Sequence, residues 1–159
     1  MFDEPVGRVM QQRGLLKASR ETLVNSAAKL MASRGLGAVL VVDGEQLVGI
    51  FTERDIAFRV VARDLDAQTT RLAEVMTPAP ETVDPDKPFG YALLRMQEGG
   101  FRHLPVVSEG KIVGIVSARS AMDPALEEFV SEGRRRERYR DMHDQPAKTP
   151  TRRPRRTRD

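Results

Sequence analysis

The sequence predicts a mixed α/β (α+β) fold: two tandem β-α-β-β-α units packed pseudo-symmetrically, followed by a disordered basic C-terminal tail. Three observations predict it. LVGI at Leu47 to Ile50 recurs as IVGI at Ile112 to Ile115, and Val41-Val42 recurs as Val106-Val107, both displaced by 65 positions. Upstream the displacement is 66, with Val9-Met10 matching Val75-Met76 and Leu30 matching Met96. Self-similarity at a fixed period marks a repeat architecture. Each copy also passes from a helical spacing of apolar residues to a short continuous apolar strand. At ~60 residues neither unit buries a comfortable core alone, so the two should share one body. The boundaries are set at 1–67 and 68–131, with the tail at 132–159.

In the first unit Ser19 is placed as a helix N-cap, and Leu23, Ala27, Leu30 and Met31 follow at i, i+4, i+7 and i+8 until Gly35 stops the helix. In the second, Phe89, Leu93 and Met96 repeat the spacing and Gly99-Gly100 end it. An apolar strand follows each helix (Ala38 to Val42; Leu104 to Val107), then a tight turn (Asp43-Gly44; Glu109-Gly110) and a second strand. A further helix is expected from about Glu53 to Arg63, with Ile56 and Val60 inward. Its partner begins near Arg119 and is restarted by Asp123-Pro124, an N-cap followed by a first-turn proline.

Composition narrows the function classes. The chain has 159 residues and no cysteine, which removes disulfides, thiolate catalysis and Cys-based metal centres. Two histidines, His103 and His143, do not make a metal cluster. No apolar run approaches the ~20 residues of a spanning helix, and the acidic start MFDEP lacks the pattern of a signal peptide. A cytoplasmic protein with no membrane partner is expected. Residues 133–159 carry 11 Arg and Lys against 4 Asp and Glu, whereas residues 1–132 carry 15 against 19. A tail so charged and so poor in apolar residues cannot offset its ordering entropy. It is expected to serve either as a solubilising or incidental terminus or as a handle for nucleic acid, an acidic partner or membrane phosphates.

The echoed corner carries the chemistry. GIFTERD at Gly49 to Asp55 returns as GIVSARS at Gly114 to Ser120, with the final Asp replaced by Ser. At a strand-to-helix corner the first helical N–H groups lack partners and attract anions. The Thr52 hydroxyl can donate to a phosphate oxygen, and the Asp55 carboxylate offers paired acceptors to a ribose diol. The same two residues also form a capping-box variant, which needs no ligand at all. Ser117 and Ser120 fit that second reading equally well.

The duplicated unit resembles the CBS-domain pair, or Bateman module. The resemblance covers residues from about 5 to 130 and is carried by GAVLVVDGEQLVGIFTERD, VMTPAPETV and RHLPVVSEGKIVGIVSARS. It implies a stand-alone regulatory module, not an enzyme. Such a module binds AMP, ADP, ATP or an adenine dinucleotide between the repeats, and no other cofactor is required. By this resemblance Thr52 would contact phosphate and Asp55 ribose, while Thr77, Pro80 and Glu81 would flank the base. Arg102, His103 and Arg119 would meet the phosphates. A second, degenerate cleft would comprise Ser117, Ser120, Leu36, Gly37, Arg54 and Lys17. Without the carboxylate it should bind ribosyl ligands about ten to a hundredfold more weakly. The resemblance further implies a homodimer through the helices after each corner, for which Ile56, Phe58 and Val60 are the available apolar positions, and an effector protein as downstream partner. The alternative is a nucleic-acid-binding protein acting through its Arg-rich tail, with the folded body as a dimerising scaffold. Catalysis finds no support in a nucleophile-base pair, a metal cluster or a phosphate-binding glycine loop.

Overall fold

The computed structural model describes residues 2–121. The basic tail and the Asp123-Pro124 helix start lie outside them. The first half runs through α1 (Val6–Val9), β1 (Lys17–Ser19), α2 (Val24–Arg34), β2 (Ala38–Asp43) and β3 (Gln46–Thr52). After a helical stretch from Glu53 to Arg63 come α4 (Leu72–Val75), β4 (Thr77–Pro78), α5 (Phe89–Gly99), β5 (His103–Ser108) and β6 (Lys111–Ser117). A 3-10 turn, Ala118–Ala121, ends the described chain. No helix among the described residues is long and apolar enough to cross a membrane.

The repeat is visible in the pairing. One sheet has the order β1-β2-β3-β4, parallel between β1 and β2 and antiparallel elsewhere. The second is the β5-β6 hairpin, flanked by single bridges in the equivalent places: Val83 pairs in parallel with Val106, and Gln11 antiparallel with Ile115. Both hairpins slip register at the same point, Val41/Val42 and Val106/Val107.

The two halves interleave. Leu72, Val75 and Met76 are buried with Val24, Ala27, Met31, Val39 and Phe51 in the first core, although they open the second unit. Val6, which opens the first, is buried with Phe89, Ala92, Met96 and Leu104 in the second. A third cluster, Ala38, Leu40 and Ile50 with Ile112 and Ile115 against it, joins the hairpins of the two repeats.

This exchange explains why one sequence-based assignment fails. Ser19 does not cap the first helix: it ends β1, and its Oγ accepts from the backbone N–H of Glu21 at 3.2 Å. The helix begins at Val24, and its orphan donors are satisfied from afar. Val24 N–H donates to the Thr70 carbonyl at 2.9 Å and Asn25 N–H to the Ala67 carbonyl at 2.9 Å. α5 starts in the same way, with Phe89 N–H on the Glu4 carbonyl at 2.7 Å and Gly90 N–H on the Phe2 carbonyl at 2.8 Å. A cap supplied by backbone carbonyls has no side-chain signature. Val24 consequently takes the inward position assigned to Leu23, which is exposed.

The helical stretch after the first corner spans Glu53 to Arg63 as predicted, but its winding changes twice. α3 (Glu53–Asp55) passes into a π-helical turn at Ile56–Val60 and a 3-10 turn at Val61–Arg63. Val60 is buried in the first core and so is removed from the apolar positions assigned to dimer packing, whereas Phe58 and Val61 stand exposed.

Candidate functional site

The first corner is built as a reciprocal capping box. Thr52 ends β3 in an extended conformation, and its backbone N–H donates to Asp55 Oδ2 at 2.8 Å, with its hydroxyl donating to the same oxygen at 3.1 Å. Arg59 Nε lies 3.4 Å from the other carboxylate oxygen, Oδ1. That guanidinium also donates to the carbonyls of Met76 at 2.9 Å and Val75 at 3.3 Å, tying the corner to the entry of β4. Asp55 is therefore both cap and anchor, and it is buried. The second corner keeps the box without the charge. Ser117 N–H donates to Ser120 Oγ at 3.3 Å, Ser120 N–H to Ser117 Oγ at 3.3 Å, and the hydroxyls lie 3.2 Å apart. A hydroxyl thus suffices for the helix start, and the carboxylate at position 55 exceeds what capping requires.

Opposite the first corner, β4 sets Thr77 beside Ile50 through antiparallel pairing. Beyond it Ala79 turns the chain at φ +42° and donates to the Val48 carbonyl at 3.0 Å, which brings Pro80 and Glu81 to the same edge. Glu81 is held by Arg95 of α5, whose Nη2 donates to Oε2 at 3.1 Å. α5 closes at Gly100 in the left-handed conformation, φ +68°, and releases Phe101, Arg102 and His103 into β5. Arg54 spans the gap: its Nη1 donates to the Gly100 carbonyl at 2.7 Å and its guanidinium lies 5.2 Å from the centre of the Phe58 ring.

These pieces enclose a cavity of about 480 Å³ between the repeats, within the usual range for small-molecule sites. Thr52, Asp55, Thr77, Pro80, Glu81, Arg102 and His103 all line it. Gly37 and Arg54, assigned to the second cleft by resemblance, line this one as well. Lys17, Leu36, Ser117, Ser120 and Arg119 are outside that lining. Arg119 stands exposed on the 3-10 turn after β6, and Lys17 is exposed on β1. Sequence reasoning overlooked Glu53 and Arg59 and assigned Phe58 to dimer packing; all three also face the cavity. Arg59 lies four residues beyond Asp55, a spacing that could have signalled an ion pair on a helix.

Burial, the largest cause, pushes the His103 imidazole below its usual value; the Glu53 carboxylate partly offsets this and Arg102 adds to it. His103 is therefore neutral at pH 7, contributing one donor and one acceptor to the wall and no charge.

A tandem pair of β-α-β-β-α repeats with a ligand-sized cleft between them defines a class, and comparison with known proteins agrees. The family model for the CBS domain matches residues 6–62 and again residues 72–125, so the chain belongs to the CBS domain family. It is similar to the meiotically up-regulated gene 70 protein of Schizosaccharomyces pombe, 41% identical over 122 residues, or 70% of this chain and 17% of that protein. The chain thus spans a fifth or less of the length of the first curated relatives it matches. Among solved structures it is similar to a putative signal-transduction protein with CBS domains from Burkholderia ambifaria, with a TM-score of 0.73 and 34% identity over 77% of this chain and 94% of that one. A CBS domain protein of Pyrobaculum aerophilum, solved in complex with AMP, shares the fold at a TM-score of 0.66 and 24% identity, over 73% of this chain and 88% of that one.

Proposed function

We propose that the cleft between the repeats is a regulatory site for an adenine nucleotide, and that the chain senses the ligand without transforming it. The observation that carries this reading is the convergence on one cavity of the Thr52–Asp55 corner from the first repeat and Thr77, Pro80, Arg102 and His103 from the second. A ribose hydroxyl arriving at Asp55 Oδ2 would take the place of the Thr52 hydroxyl as its donor. The freed Thr52 Oγ1 would then turn to a phosphate oxygen. Arg54 and Arg102 supply the charge for that phosphate, and Ile50, Thr77 and Pro80 offer a flat, mostly apolar edge for the base. The AMP complex of the Pyrobaculum aerophilum protein supports the reading only through the shared fold.

Regulation would operate through the groups that span the cleft. Arg54 on the Gly100 carbonyl and Arg59 on the Val75 and Met76 carbonyls join the two walls, so a ligand that displaces either shifts how the walls meet. The exposed Phe58 and Val61 next to them are the surface on which a homodimer or an effector protein would register that shift. Such a module would work in the cytoplasm, where adenine nucleotides are plentiful.

Thermal melting of the purified protein against AMP, ADP, ATP, NAD, S-adenosylmethionine and GTP tests the reading. Ligand at ~100 times its dissociation constant adds about 2.7 kcal/mol of apparent stability. A raised midpoint confined to adenine compounds supports the site, and an unmoved midpoint with all of them overturns it.

A further inference from the structure

Glu53 places a carboxylate on the wall of the cleft. Its backbone N–H donates to the Gly37 carbonyl at 3.1 Å. Its carboxylate lies against Gly37 itself: a Cβ there would stand 3.1 Å from Glu53 Cδ and Oε2 and 3.3 Å from Oε1. The absence of a side chain at position 37 lets that carboxylate settle on the wall, on the side where His103 feels its charge.

The remaining charges of the cavity are largely paired. Its lining includes Arg54, Arg59 and Arg102 against Glu53, Asp55 and Glu81. Arg59 is spent on Asp55 at 3.4 Å, and Glu81 on Arg95 at 3.1 Å. Arg54 and Arg102 remain against Glu53, and the neutral His103 adds a hydrogen bond without charge. A phosphate monoester, about −1.5 to −2 at pH 7, is matched by two guanidiniums. Each further phosphate adds negative charge to a wall on which Glu53, among the described residues, is the lining carboxylate without an ion-pair partner.

We propose that Glu53 sets the phosphate length this cleft accepts, so that an adenosine monophosphate is preferred over the triphosphate. The inference rests on the nucleotide reading of the cleft and adds a determinant to it. One like-charge encounter within ~7 Å in a partly shielded cleft corresponds to about a tenfold change in affinity.

Calorimetric titration of the full chain with adenosine, AMP and ATP, in a chelating buffer at low ionic strength, separates the two levels. The parent should bind AMP at least tenfold more tightly than ATP. Glu53→Gln, which keeps the shape and removes the charge, should narrow that ratio to within about threefold, mainly by improving ATP. Raising the salt should narrow it in the parent too. Equal affinity of the parent for AMP and ATP, or an equal shift of both ligands in Glu53→Gln, overturns the role of Glu53 while leaving the nucleotide site standing. No binding of any of the three overturns the nucleotide reading and this inference with it. The melting midpoint of Glu53→Gln without ligand, expected to match the parent because Glu53 is exposed, excludes misfolding as the cause of a changed ratio.

Discussion

Arg59 holds Asp55 from one side, Nε to Oδ1 at 3.4 Å, while the Thr52 backbone N–H holds it from the other at 2.8 Å. The carboxylate fixes the start of its helix and, through Arg59, the carbonyls of Val75 and Met76. Asp55→Ala should therefore cost about 1–3 kcal/mol of stability, because it leaves the part-buried Thr52 N–H without its acceptor and the Arg59 guanidinium without its counter-charge. Asp55→Asn should cost less, since its amide oxygen still accepts from Thr52. Urea melts of the two variants check the order, and an Ala variant as stable as the parent would refute the anchoring role.

His103 gives the stability a pH dependence of known sign. Its folded value lies below the ordinary 6.5, so the unfolded chain binds more protons as the pH falls past that value. The stabilisation is fully present above pH 6.5 and is lost as the pH drops toward the folded value. Melting midpoints from pH 7.5 to 5.5 should fall more steeply for the parent than for His103→Gln. An anionic ligand beside the imidazole should raise its value again, so binding below pH 6.5 should take up protons, visible as a buffer-dependent heat.

Two glycines at equivalent positions should respond unequally. A Cβ on Gly49 would press on the flexible side chain of Met76, 3.1 Å from Cγ. On Gly114 it would meet Met10 Sδ at 2.6 Å and also the backbone oxygen of Gln11 at 2.9 Å. A thioether can rotate away and a paired carbonyl cannot. Gly49→Ala should cost about 1 kcal/mol, and Gly114→Ala about 2–3 kcal/mol. Denaturant midpoints distinguish the two, and equal losses would count against the close approach of Gln11.

Leu72 opens the second repeat in sequence but is fully buried in the first core. Leu72→Ala should remove about 2–5 kcal/mol. Amide exchange should then quicken first in α2 and β2, ahead of α5. Faster exchange confined to α5 would contradict the interleaved packing.

The periods of the sequence revealed the strands, the helices and the duplication, because burying one face of each element is a local matter of spacing. The Thr52–Asp55 capping box and the Gly35 stop held, but the N-cap assigned to Ser19 did not. α2 and α5 are capped by carbonyls from Ala67, Thr70, Phe2 and Glu4, contacts made far along the chain that leave no residue type behind. The two corner residues Thr52 and Asp55 were legible, since a hydroxyl and a carboxylate three apart at a strand end have few roles. Glu53 and Arg59 were not, because an acid and a base on a helix surface are ordinary until the opposite wall is present. The π-helical turn that carries Arg59 has no pattern of its own in the residues Ile56 to Val60.

The exchange of α1 and α4 between the cores sets an order of events during synthesis. Val6 leaves the ribosome well before Phe89, Ala92 and Leu104, the residues among which it is buried, so its segment is kept waiting for its seat. The first core, by contrast, is complete once Met76 has emerged, and it can close while the later strands are still being translated. Residues 6–11 then act as a clasp held open until β6 offers Ile115 to the Gln11 backbone, and that late step of high contact order should govern the speed of folding.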